Sequence, residues 1–358
     1  MSISARTPGW STQRFILLLS RTTPLPRVRC WPIQLQRQRR QLATSARDAA
    51  DQMAHTFADR TMTRRQVLDG NQLQKLSLTL GRPQLHPGFD VSESPPPDGT
   101  PLPPGYHLVY FTPSSLETEL GPDGTDRTFN APAPFTRRMW AGGRMTWKPP
   151  PAPQLRVGQR AEERTRLLSA TPKKSRDGGE MVLVEVEKEF WGPEGLALVD
   201  RRSWVFRPEV PAAHAEASRA VQDTTVWGPS TAEDVDTGDG SYPYRQMRWS
   251  PVGLFRFSAL TFNGHKIHYD GSWTRSVENH PGCVVHGPLN LISMLDYWRD
   301  VCGEGPVGGI SYRAMSPLYA GDTYRISAQK PVQSDDGKSW EVLVQNGDLV
   351  CMKGTITA

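Results

Sequence analysis

Cysteine is scarce. The 358-residue chain has four, Cys30, Cys283, Cys302 and Cys351, and none stands in C-x-x-C spacing. That excludes a disulfide framework, argues against a zinc ribbon and suits a reducing compartment. Long apolar runs are missing too. Near the N-terminus the longest, Phe15 to Leu19, falls far short of the ~18–20 residues that cross a bilayer, so no membrane span is expected. Acidic residues are absent from positions 1–47, which hold nine Arg and no Lys. The formal charge of the whole chain is +5, so taking away that segment's +9 leaves −4 on residues 48–358. The basic character belongs to the leading segment and not to the body, and gives no ground for a nucleic-acid partner.

What is present begins with that segment. It is Arg-rich, contains Ser, and carries an amphipathic stretch from Trp10 to Leu19. This pattern reads as a mitochondrial presequence over residues 1–47, and a basic arm for RNA would normally include Lys. Arg40-Gln41-Leu42, followed by Ala43-Thr44-Ser45, resembles a matrix-peptidase cleavage site. Location in the mitochondrial matrix follows as the expectation, with Cys30 removed along with the leader.

The remainder suits about two domains at ~150 residues each. The 32 Pro and 31 Gly imply long irregular connections. Residues 48–80 read as helical, with Gly81 and Pro83 as stop signals. A Pro-rich connector covers 82–105. Residues 208–248, low in hydrophobics, read as an interdomain linker. The expected division is a first half over 48–207 and a second over 249–358.

The two halves carry a weak internal repeat. The first runs Gly142-Gly143, Gly158, Glu162 to Ser169, Met181 to Trp191, a turn at Gly192–Gly195, and Leu196 to Phe206. The second runs Gly308-Gly309, Gly321, Thr323 to Lys330, Trp340 to Gln345, a turn at Asn346-Gly347, and Asp348 to Ile356. Val182, Val184 and Val186 alternate with Leu183, Glu185 and Glu187, the period-two pattern of a half-buried strand. Asn346-Gly347 between two such runs signals a hairpin with a type I′ turn. Each half is thus an antiparallel sheet with one face to bury.

In the second half, Gly287-Pro288 opens a segment with Leu289, Leu291, Ile292, Met294, Leu295, Tyr297 and Trp298. Pro suits the first helical turn, and apolar residues nearly all round imply burial on most sides. A buried helix wrapped by an antiparallel sheet is the hotdog arrangement. The fold class is therefore α+β, a double hotdog: two antiparallel sheets, each wrapping a helix, joined edge to edge as a pseudo-dimer. A homodimer of such chains is compatible with the sequence and not required by it.

The second half also holds Phe262-Asn263-Gly264-His265-Lys266-Ile267-His268-Tyr269-Asp270, then Val284-Val285-His286-Gly287-Pro288. These resemble the hydratase motif and the helix start of the MaoC-like, (R)-specific enoyl-thioester hydratases. A closer resemblance covers most of the chain beyond the leader. Leu102 to Phe111, Glu119 to Gly124, Arg137 to Gly143 and Phe257 to Asp270 are similar to the group containing fungal mitochondrial 3-hydroxyacyl-thioester dehydratases (type 2) and bacterial mesaconyl-CoA hydratases.

The resemblance implies reversible dehydration of (3R)-3-hydroxyacyl thioesters in mitochondrial type II fatty acid synthesis. The substrate would be an acyl carrier protein or CoA thioester. The chemistry needs a group to handle the protons and donors for the thioester oxygen, and no metal or redox cofactor. His268, titrating near ~6.5, suits the first task. The helix N-terminus at Gly287, beside His286, suits the second. Asn263 stands where the broader family has Asp, and His265 where it has Asn. His268 is then expected to carry the proton, Asn263 to hold the water or β-hydroxyl, and His265 to assist or to hold the loop. Asp270 is a lesser candidate to orient an imidazole. Arg137 and Arg138 are expected to bind phosphates of the carrier arm, against a reading as a salt-bridged face. Two alternatives stand beside this: a hydratase for a mesaconyl- or itaconyl-type enoyl-CoA, and a non-catalytic acyl-thioester-binding protein. His265-x-x-His268-x-Asp270 could also be spaced for a metal, but the expected distal ligands are absent.

Overall fold

The structure is a computed structural model that describes residues 45–149, 153–175, 178–209, 228–303, 305–334 and 337–358. The presequence expected over residues 1–47 lies outside these residues except for its last three.

In chain order the described elements begin with α1 (Ala46–Phe57), β1 (Thr61–Val67), α2 (Gly70–Thr79), and the short strands β2 (Gln84–His86) and β3 (Phe89–Asp90). Four long strands follow: β4 (Arg137–Trp147), β5 (Arg160–Lys174), β6 (Glu180–Gly192) and β7 (Gly195–Arg207). The second half comprises β8 (Thr231–Val235), β9 (Tyr244–Arg248), α3 (Pro251–Leu260), α4 (Gly271–Ser276) and α5 (Gly287–Tyr297). It ends with β10 (Gly309–Ala314), β11 (Thr323–Ala328), β12 (Val332–Ser334), β13 (Gly337–Asn346) and β14 (Leu349–Thr357).

The long strands form one sheet in the order β1-β5-β6-β7-β4-β10-β14-β13-β11-β9-β8. The order is symmetrical about the seam between β4 and β10, as the repeat demands: β7 answers β14, β6 answers β13, and β5 answers β11. The seam pairs antiparallel from Gly309↔Thr146 to Arg313↔Gly142. Glycine is required there. A Cβ on Gly143 would sit 2.2 Å from the Arg201 carbonyl oxygen, and one on Gly142 2.5 Å from that of Tyr312. The register shift between Trp140 and Gly142 is a bulge of the kind that re-aims a side chain, and Trp140 faces the cavity described below.

α5 is the buried helix of the second half. Every residue from Leu289 to Tyr297 is buried, each Leu or Ile worth roughly 1.5–3 kcal/mol. Gly354 of β14 lets it approach, since a Cβ there would stand 2.7 Å from the Met294 methyl carbon. Its one acid, Asp296, accepts a hydrogen bond from Tyr106 Oη at 3.0 Å and one from Arg299 at 2.9 Å. This explains the Leu102–Phe111 motif. Gly105, at φ 85°, brings that segment against Leu295 and Ile292, and Tyr106 ties it to the helix.

The first half is covered differently. Its helix is α1, from the lead-in, which packs on Val182, Val184 and Val186 with Phe129, Phe135 and Phe206. Ser45 caps α1 through its Oγ, which accepts the Asp48 N–H at 3.2 Å, so the expected leader boundary at residue 47 falls within that first turn.

Three sequence readings need correction. The helix expected over 48–80 is two helices with β1 between them. Thr61–Val67 alternates exposed and half-buried residues along the edge of β5, and Arg65 pairs with Glu162 at 2.7 Å. The linker over 208–248 contains β8 and β9, which extend the second sheet. The last hairpin turns on Gly347-Asp348, with Asn346 paired to Leu349 and only Gly347 at positive φ, 57°.

Candidate active site

α3 starts at Ser250, whose Oγ accepts the Gly253 N–H at 3.1 Å, with Pro251 in the first turn. The chain leaves α3 through Phe262 at φ 48° and winds into a short 3-10 turn, Lys266–His268. Asn263 Oδ1 accepts the His265 backbone N–H at 3.1 Å, pinning this loop. The amide is thus engaged in local structure, while Asn263 also lines the cavity.

His268 Nδ1 lies 2.8 Å from the Val284 carbonyl oxygen. A carbonyl only accepts, so Nδ1 carries the proton and donates, and Nε2 keeps its lone pair. Burial lowers the His268 pKa to about 4, against the pull of that carbonyl. The ring is therefore a neutral base near neutral pH. His286 stacks on it, and His286 Nε2 lies 2.9 Å from Ser258 Oγ. His265 stands edge-on to His268 with centroids 5.5 Å apart. Burial also holds His265 and His286 well below the ordinary value, and the neighbouring imidazole of His268 acts in the same direction on both.

α5 begins beside these rings. The His286 carbonyl oxygen accepts the first helical N–H groups, those of Leu289 and Asn290, at 3.1 Å each. Pro288 has none to give, and the Gly287 N–H has no partner among the described residues. Trp140 covers this glycine closely enough that a Cβ would meet its Cγ at 3.0 Å.

His265, His268, His286, Asn263 and Gly287 line one cavity of about 590 Å³. It extends from the helix mouth to the inner face of the first sheet, where Glu163, Thr165, Lys188 and Arg202 form its floor. Lys188 Nζ pairs with Glu163 at 3.0 Å, and Arg202 with Asp200 at 2.6 Å. His107, for which the sequence offered no role, sits buried 3.5 Å from Asp200. Asp200 is held down to about 2 by Arg202 and His107 against the cost of burial. The sequence did carry a signal for this floor: Lys188 falls in phase with Val182, Val184, Val186 and Phe190, the inward-facing positions of β6.

The arginine pair divides. Arg137 Nε bonds Glu278 at 2.7 Å, the salt-bridged arrangement that the sequence offered beside phosphate binding, and it is not among the residues that line the cavity. Arg138 lines the cavity. Its guanidinium lies 5.4 Å from the centre of the Trp204 ring, and it has no ion-pair partner among the described residues. Asp270 is engaged in local structure. Its Oδ1 accepts the Trp273 N–H at 2.9 Å as the cap of α4, and it orients no imidazole.

A buried histidine whose Nδ1 is held by a carbonyl, at the mouth of a buried helix, is the arrangement that the motifs anticipated. Residues 105–320 match the family model described as hydroxyacyl-thioester dehydratase type 2. The chain belongs to that family. The mesaconyl-C(4)-CoA hydratase of Chloroflexus aurantiacus is 33% identical over 241 residues, 65% of this chain and 79% of that protein. The mitochondrial hydroxyacyl-thioester dehydratase type 2 of Schizosaccharomyces pombe is 26% identical over 264 residues, 67% of this chain and 80% of that one. In fold, the crystal structure of the HtdX protein of Mycobacterium tuberculosis superposes with a TM-score of 0.53 at 15% identity, covering 83% of this chain and 99% of the other. The family member described here is a double hotdog.

Proposed function

We propose that this chain catalyses the reversible dehydration of (3R)-3-hydroxyacyl thioesters to trans-2-enoyl thioesters. The observation that carries the reading is the His268 Nδ1–Val284 contact, which leaves a neutral Nε2 as base in a cavity shared with the N-terminus of α5. In the dehydration direction, Nε2 takes the proton from Cα. The electron pair of that bond forms the C=C bond as the Cβ–O bond breaks. The imidazolium passes its proton to the departing hydroxide, which leaves as water, and His268 returns to neutral. Charge that builds on the thioester oxygen is met by the Gly287 N–H and the positive end of α5. Asn263 and His265 border the place of the hydroxyl.

The thioester carrier is acyl carrier protein or CoA, and the setting is type II fatty acid synthesis in the mitochondrial matrix. The Arg-rich leader supports this, as does the S. pombe relative, which is named mitochondrial. Hydration of crotonyl-CoA, followed by the loss of enoyl-thioester absorbance, tests the activity. A purified, folded chain with no turnover on crotonyl-CoA or on 3-hydroxyacyl-carrier substrates would leave only a binding role.

One observation favours a second reading, a hydratase for a dicarboxylic enoyl-CoA of the mesaconyl type. Arg138 brings an unpaired guanidinium to the cavity wall, and a carboxylate on the acyl group would match it in charge and shape. Turnover of mesaconyl-CoA measured against that of 3-hydroxyacyl-carrier substrates separates the two.

A further inference from the structure

The catalytic loop of the second half is clamped by a loop of the first. Pro122 to Gly124, part of the Glu119–Gly124 motif that the sequence singled out without a role, lies directly against it. The Lys266 N–H donates to the Asp123 carbonyl oxygen at 2.8 Å, and Lys266 Nζ to that of Pro122 at 2.8 Å. Gly124, at φ 81°, meets Gly264 so closely that a Cβ would stand 2.0 Å from its carbonyl oxygen. The Asp123 side chain is fixed in turn. Its Oδ1 accepts the Thr125 N–H at 3.0 Å and the Thr125 hydroxyl at 2.7 Å. Its other oxygen, Oδ2, is left 3.6 Å from His265 Nε2. Both side chains are largely buried, with 14% and 11% exposed.

We infer that Asp123 is a positioning residue for the reaction, acting across the two halves through His265. The inference rests on the dehydratase reading. At 3.6 Å the contact is at ion-pair distance and not hydrogen-bond distance, so the carboxylate acts on the imidazole through its charge. A carboxylate so placed accepts only. It holds the His265 proton on Nε2 and leaves Nδ1 as an acceptor, and Nδ1 has no partner among the described residues. The site then presents two imidazole acceptors, His268 Nε2 and His265 Nδ1, to the two hydrogens of one water, with the water oxygen free to face Cβ. In hydration, the oxygen bonds Cβ while His268 takes one of those hydrogens and returns it to Cα. His265 keeps the other hydrogen oriented and gains no proton. Asp123 thus supplies, from the first half, a carboxylate to a loop that has Asn at position 263. The other groups that act on His265 are Arg137, Arg138, His268 and His280. All are basic, and Asp123 is the acidic group within ion-pair distance of this ring among the described residues.

The first test is independent of turnover. ¹⁵N NMR of the histidine-labelled protein should show His265 as the Nε2–H tautomer, shifting toward Nδ1–H in D123N, whose amide can turn its donor to Nε2. An Nδ1–H tautomer in the unsubstituted protein, or an unchanged spectrum in D123N, overturns the inference whatever the activity. The second is a double-mutant cycle on crotonyl-CoA hydration. D123N should lose ~10²-fold in kcat with little change in KM, D123E should regain part of it, and D123N should cost almost nothing further in an H265Q background. An equal loss in both backgrounds overturns it. If the unsubstituted chain does not hydrate crotonyl-CoA, the dehydratase reading fails while the tautomer measurement still decides the Asp123–His265 relation.

Discussion

The rings of His268 and His286 lie face to face, with centroids 3.6 Å apart and planes within 17° of parallel. Two imidazolium ions could not occupy that geometry cheaply, and burial keeps both rings neutral. His286, itself held by Ser258, is then a plate that sets the tilt of the His268 ring. H286A should lower kcat more than it raises KM. It should also cost about 1–3 kcal/mol of stability, because the buried Ser258 hydroxyl loses its partner. Steady-state kinetics and denaturant unfolding read the two effects separately.

His268 carries the proton in the proposed cycle. H268A should lose at least ~10²-fold in rate with circular dichroism and melting close to those of the parent. A near-normal rate would remove this residue from the mechanism.

The lowered histidine pKa values set a pH dependence with a definite sign. The base form of His268 persists down to about 4, so kcat/KM should be flat around neutral pH and fall as pH drops through about 4. Stability follows the same groups. An unfolded histidine binds its proton near ~6.5, so below that pH the unfolded state holds more protons than the folded one. The contribution is fully present above ~6.5 and is lost as pH falls from there toward 4. Denaturant midpoints recorded between those values should decline, and a variant with His265 and His286 both replaced by apolar residues should show a shallower decline.

Gly287 tests the helix mouth. In G287A the new Cβ meets Trp140 at 3.0 Å, and either the indole or the first turn of α5 must shift by a few tenths of an ångström. Loss of roughly 10- to 100-fold in kcat is expected, since small displacements at a reacting centre are costly, with the melting temperature nearly unchanged.

Arg138 decides between substrate classes. In R138M, KM for a dicarboxylic enoyl-CoA should rise ~10-fold or more, the scale of a charge-assisted hydrogen bond. Turnover of crotonyl-CoA, whose acyl group is uncharged, should be much less affected. Equal effects on both would place the guanidinium at the thioester or its carrier arm.

The repeat made the architecture legible, because alternation along Val182–Val186 and along the β13–β14 hairpin is a local property. The helix α5 was legible for the same reason, as was His268 through its neighbours. Other features depend on what the strand or loop meets. Thr61–Val67 has polar residues at most positions and becomes a strand only because β5 offers it an edge. The Arg137–Arg138 difference was within reach of sequence reasoning: neighbours on a strand face opposite sides, so only one of them could address the cavity. The approach of Asp123 to His265 was not. It joins residues from different halves, and nothing in either segment alone names the other.

The seam at β4 and β10 bears on what a guest in the cavity touches. Main-chain pairing runs across it from Gly309↔Thr146 to Arg313↔Gly142, so the two modules share one continuous sheet. Whatever occupies the cavity therefore meets both modules at once, the histidines of the second and Lys188 and Glu163 of the first.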